Sequence, residues 1–110
     1  MTNDFSELRV ADGSITKLCV VDGDVQASLQ NWREQRDTIT FHDVVGLEAF
    51  GFLNTALSHV TESASDPLLG RSCLMGGEPA NDFRCYAFYS AWADQPVLKV
   101  VARSWSVGGE

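Results

Sequence analysis

Residues 15–32 read ITKLCVVDGDVQASLQNW, and the fold turns on how this stretch doubles back on itself. Side chains on a strand alternate between faces, so pairing across a turn must bring like faces together. With Asp22 and Gly23 as a two-residue loop, Val20 opposes Val25, Leu18 opposes Ala27 and Thr16 opposes Leu29, which makes one mostly apolar face. Lys17, Cys19, Gln26, Ser28 and Gln30 share the other. Moving the loop to Gly23 and Asp24 leaves every residue on its face, whereas a three-residue loop pairs Val20 with Gln26 and mixes the faces. An even loop is therefore required. Asp-Gly suits a type I′ turn, in which both central residues have positive φ. The reading predicts positive φ at Gly23 and solvated carboxylates at Asp22 and Asp24. A metal is disfavoured, because a calcium-binding loop spreads its ligands over about twelve residues and ends in a glutamate.

Working outward, TITFHDVV at 38–45 predicts a third strand, with Ile39 opposite Leu29 and Phe41 opposite Ala27. Thr38, Thr40 and His42 then join the polar face, giving a three-stranded meander with one wet side. In GLEAFGFLNTALSHVTE at 46–62, Leu47, Phe50, Leu53, Leu57 and Val60 recur at helical spacing. Gly51 weakens that helix by about 1 kcal/mol, so the segment is assigned a short helix or turn at 47–53 and a strand at 56–62. Residues 63–82 contain Pro67 and Gly76-Gly77. A loop of about 20 residues is uncommon in a compact domain, which favours a short strand around Arg71–Met75 over a mobile functional loop. FRCYAFYSA at 83–91 and VLKVVARSWSV at 97–107 are rich in aromatic and β-branched residues, with WADQP between them as the turn. Phe83, Cys85, Ala87 and Tyr89 lie on one face, and Tyr86 and Phe88 keep the other partly apolar. Burial on both faces points to a central strand, or to one covered by a helix or second sheet.

The whole chain, 1–110, thus reads as a single mainly β domain. Five to seven antiparallel strands in a sandwich or partly closed barrel are expected, with at most one short helix. At 110 residues, with 45% hydrophobic and 21% charged residues, it can bury roughly two-thirds of its unfolded surface. Its net charge is −7, from 15 acidic and 8 scattered basic residues. Phosphate binding draws on clustered cations, so nucleic acid and anionic membranes are disfavoured as partners. MTNDFSELRV has no positive leader followed by an apolar core, which reads as a soluble, cytoplasmic protein. Cys19, Cys73 and Cys85, odd in number and forming no Cys-x-x-Cys pair, fit free thiols in a reducing compartment.

Few constellations suggest chemistry. His42 and Asp43 are adjacent and face opposite sides of a strand. Cys19 shares the wet face with His42, a candidate thiol and base. His42, His59, Cys73 and Cys85 lack the spacing of a zinc site. MGGEP at 75–79 is followed by no lysine and helix that would cradle phosphate. Asp43 is expected to face inward opposite Val25, a functional candidate if buried and unpaired and otherwise a backbone acceptor at the strand's end. Neither a metal nor a cofactor is expected.

Trp32, Trp92 and Trp105 remain, either capping the sheets or anchoring a partner. The favoured reading is a non-catalytic interaction module that binds through Trp32, His42, Trp92 and Trp105. One version is an acidic inhibitor or immunity-like protein that neutralises a basic protein partner. The alternative is a small-ligand barrel or small enzyme whose pocket is lined by Arg84, Tyr86, Tyr89 and His42 and roofed by residues 63–82. Homo-oligomerisation through an edge strand or an aromatic patch is compatible with either.

Overall fold

In the computed structural model, which describes residues 5–109, the hairpin forms as the alternation requires. Strands β1 (Ser14–Val21) and β2 (Asp24–Gln30) pair Val20 with Val25 and Leu18 with Ala27. The turn residues have φ of 49° at Asp22 and 83° at Gly23, the type I′ pattern. Asp22 is exposed and Asp24 half-buried. A bulge between Ile15 and Lys17 sets Ile15, instead of Thr16, opposite Leu29. The inserted residue re-aims the strand. Ile15 becomes fully buried, and the Thr16 hydroxyl donates to the Ser28 carbonyl. Strand β3 (Arg36–His42) sets Ile39 opposite Ala27 and Phe41 opposite Val25, two residues from the expected register. A slip of two keeps every side chain on its face, so alternation alone cannot detect it.

Further along the chain the structure departs from expectation. No helix forms at 47–53. Gly46–Ala49 is strand β4, and Leu57–Ser63 is β5. Leu47, Phe50 and Leu53 are exposed, so their helical spacing marked no buried face. Residues 63–82 hold neither the short strand nor an open loop, but helix α1 (Pro67–Gly76). Asp66 caps it by accepting from the Leu68 N–H at 2.9 Å, Pro67 opens the first turn, and Gly77 closes it at φ 68°. The 97–107 stretch is two strands. Following β6 (Arg84–Ser90), strand β7 (Pro96–Ala102) pairs with β6, and β8 (Ser104–Gly109) crosses at Arg103 to pair with β3. The described chain thus has eight strands in two antiparallel sheets, ordered β1-β2-β3-β8 and β4-β7-β6-β5. They form a sandwich, with one strand more than the upper expectation.

Between the sheets, Val25, Ile39 and Phe41 meet Tyr86, Phe88, Leu98 and Val100. The opposite face of the second sheet packs Cys85 and Val101 against Leu68, Leu69 and Cys73 of α1. Strand β6 is accordingly buried on both faces, as its composition predicted. Gly46 lets the helix come close, because a Cβ there would collide with the Ser72 side chain. The half-buried Lys99–Asp66 ion pair, at 2.9 Å, ties β7 to the helix cap. Burial alone would raise the Asp66 carboxyl, but the Lys99 and Leu68 N–H bonds together hold it below its ordinary value. A short 3-10 turn, Phe5–Glu7, inserts Phe5 between the sheets. Its ring lies 4.8 Å from Tyr86, 5.2 Å from Trp105, 5.8 Å from Phe88 and 5.9 Å from Phe41.

Backbone hydrogen bonds pin the connecting segments at each end of the sandwich. At one end the Val44 N–H donates to the Gly23 carbonyl and the Arg103 N–H to the His42 carbonyl. At the other, the Asp12 N–H donates to Leu57 and the Asn54 N–H to Ile15. The first end carries the β1–β2 turn, residues 43–45, Arg103 and the C-terminus of α1. The second carries the loops at 31–35, 50–56 and 91–95.

Candidate functional site

Three loops at the second end hold large apolar side chains out in solvent. Trp32 is 67% exposed, Phe50 65%, Leu53 50% and Trp92 85%. The loops that carry them are rigidly built. In the first, the Asn31 side-chain oxygen accepts from the Arg33 and Gln35 N–H groups, and its amide donates to the Gln35 side chain, each at 2.9 Å. In the second, Gly51 and Asn54 take positive φ and the Thr55 hydroxyl donates to the Gly51 carbonyl. In the third, the buried Ser90 hydroxyl accepts from the Trp92 N–H at 3.1 Å and from the Ala93 N–H at 3.4 Å. Arg33 lies over the Trp32 ring at 4.6 Å. Loop backbone already fixed in this way loses little entropy when a partner covers it.

The first end has a different chemistry. Arg103 reaches Asp82 at 3.3 Å, Glu78 at 3.4 Å and Asp43 at 3.6 Å, with its guanidinium 4.8 Å above the Phe83 ring. A cleft of about 350 Å³ opens there, lined by Gly23, Asp43, Val44, Val45, Glu78, Phe83 and Arg103. Among the described residues, no group of three His, Cys, Asp or Glu side chains could hold a metal ion. Asp43 does not face inward opposite Val25. It is exposed at φ 56°, where its N–H donates to Asp24, because the strand has already ended at His42.

The expected site residues are dispersed. His42 is on the outer face of the first sheet, at 3.0 Å from the Ser106 hydroxyl through Nε2 and 3.5 Å from Asp24 through Nδ1. This is the order of groups in a hydrolytic triad. It stands on an open sheet face, however, and neither His42 nor Ser106 lines the cleft beside Arg103. Cys19 pairs with Gln26, which pairs with Thr40, so two strand spacings, roughly 10 Å, separate β1 from the strand of His42. The thiol–imidazole pair is not assembled.

Trp105 packs its ring on Phe5, at the edge of the core. Tyr86 is buried, and burial, with Glu62 adding to it, pushes its hydroxyl up to about 12. Arg84 donates to the Phe83 carbonyl and lies 4.0 Å from Glu62, while Tyr89 stacks on His59 at 4.5 Å. None of Arg84, Tyr86 and Tyr89 lines the cleft beside Arg103. Residues 63–82 cover the second sheet's outer face through α1, not a space between the sheets. Burial also raises the Cys73 thiol, and lifts that of Cys85 to about 12, which leaves both protonated at neutral pH. Phe50 and Leu53 are the exposed residues that sequence reasoning missed, having been assigned to the apolar stripe of a helix.

Compared with known proteins, the chain matches no family model, no curated protein and no solved structure. No described helix is long and apolar enough to cross a membrane.

Proposed function

We propose that this chain is a non-catalytic recognition domain that binds a protein partner through the loop end carrying Trp32, Phe50, Leu53 and Trp92. The observation that carries the reading is the pairing of exposure with order. Tryptophan is exposed at an energetic cost unless something covers it, and here Trp32 and Trp92 stand on loops fixed by Asn31 and Ser90. Tryptophan and arginine are also the residue types that dominate binding energy at protein interfaces, and Arg33 stacked on Trp32 supplies both. The second reading, an acidic inhibitor or immunity-like protein facing a basic partner, is favoured by Asp22, Asp24, Asp43, Glu78 and Asp82, which gather at the opposite end.

Capture from the source extract at low and high salt separates the two. Proteins retained by the wild type should survive high salt, and Trp92→Ser should weaken their binding by about 30-fold or more. Retention that vanishes with salt, or that Asp43→Asn removes and Trp92→Ser does not, would transfer the site to the acidic end.

A further inference from the structure

We infer that β8 is a self-pairing edge, through which two copies of this chain join their first sheets into one of eight strands. An edge strand offers unpaired backbone groups, and soluble proteins blunt such edges with charge, bulges, proline or short length. Three of the four edges are blunted. β1 has the bulge at Ile15/Lys17 and the exposed Lys17, β4 is four residues long and carries Glu48, and β5 has a register break between Leu57 and Val60 and carries Glu62. β8 has none of these devices. Its six residues, SWSVGG, include no charge and no proline, and they pair with β3 one-to-one from His42–Ser104 to Asp37–Gly109.

The same residues make β8 complementary to itself. Val107 and Trp105 oppose Ile39 and Phe41 and so share their inward face, yet Val107 is 47% exposed, because no described strand lies beyond it. In an antiparallel pair, directly opposed residues share a face. A two-fold axis through Ser106 therefore sets Trp105 of each copy opposite Val107 of the other, and the indole covers the exposed valine. The outer face then opposes Ser104 to Gly108 and Ser106 to Ser106. No like charges meet in the ladder, although each copy carries −7 overall. That overall charge favours a dimer that tightens as salt is added. A six-residue edge is smaller than the interfaces of permanent dimers, so association should depend on concentration.

Sedimentation equilibrium of the whole chain, from about 10 μM to 1 mM and at low and moderate salt, tests this. The expected result is a monomer–dimer equilibrium that strengthens with salt. Ser106→Lys, which sets two ammonium groups face to face, should weaken it about tenfold. Thr61→Lys on the β5 edge and Trp92→Ser at the loop end should leave it unchanged. Thermal melting verifies that each variant is folded, and Gly108→Lys replaces Ser106→Lys if the latter is not. A monomer at every concentration overturns the inference. So does a dimer that ignores the β8 lysines, or one abolished by Thr61→Lys or Trp92→Ser.

Discussion

At the hairpin end, Asp43, Glu78 and Asp82 converge on Arg103, so their charge is partly answered within the molecule. At the loop end Trp32, Phe50 and Trp92 stand mostly in solvent, although the backbone beneath them is as firmly held. Both ends use the same turn chemistry, with positive φ at Asp22, Gly23 and Asp43 on one side and at Glu34, Gly51, Asn54 and Asp94 on the other. Turn geometry therefore does not distinguish them. Exposed aliphatic side chains occur at the hairpin end too, at Val20, Val21, Leu74 and Met75. What differs is that aromatic rings stand in solvent at one end while Arg103 gathers carboxylates at the other. On that difference we propose recognition at the aromatic end.

The largest expected effect tests whether the two ends depend on one core. Tyr86 and Cys85 keep their protons up to about 12 when folded, against ordinary values of 10.0 and 9.0. Burial is the main cause in each. Above pH 9 the unfolded chain binds fewer protons than the folded one, so stability should fall from about pH 9 to 12, by several kcal/mol in all. Both ends should be lost in a single transition, followed by tryptophan fluorescence and circular dichroism. Tyr86→Phe should flatten the part of the slope above pH 10, and two separate transitions would break the assumption of a shared core.

Next in size, Gly46→Val forces a side chain against Ser72 and displaces α1 from β4. A loss of about 2–3 kcal/mol is expected in urea unfolding, with hydrogen exchange rising in α1 and near Glu78 but not at residues 31–35. Smallest is Asn31→Ala, which removes the side-chain bonds that shape the first loop. It should cost about 1 kcal/mol of stability, yet weaken partner binding through Trp32 while leaving the Arg103 cluster intact. Full affinity in this variant would show that the order of that loop contributes nothing to recognition.

How much of this was legible depended on which signals were local. Asp22-Gly23 fixed the hairpin, and the composition of β6 revealed burial on both faces, because turn chemistry and alternation act between neighbours. The bulge at Ile15 and the register of β3 were hidden, since neither changes the pattern of faces beyond one residue. Helix α1 was misread although its punctuation was present, Asp66-Pro67 to start it and Gly76-Gly77 to stop it. Its apolar stripe is only Leu68, Leu69 and Cys73, too short for periodicity to stand out. The opposite error occurred at Leu47, Phe50 and Leu53, where helical spacing came from residues that face solvent. Trp32 and Trp92 could be placed beside turns, which suits a residue capping a sheet as well as one standing exposed, and the structure shows them exposed. The exposure of Phe50 and Leu53 became visible only from the loop that carries them.

The contact of Phe5 with Trp105 spans nearly the whole sequence, and β3 finds its second neighbour only in β8. During synthesis, the first sheet stays one strand short and the core keeps an open seam until β8 has emerged from the ribosome. Closure of the sandwich should accordingly be late and slow, since it must be reached over such long separations before the contacts that reward it form. Chains ending before residue 104 would keep intact the hairpin of VVDGDV while presenting Ile39 and Phe41 along a bare strand, the form most prone to aggregate.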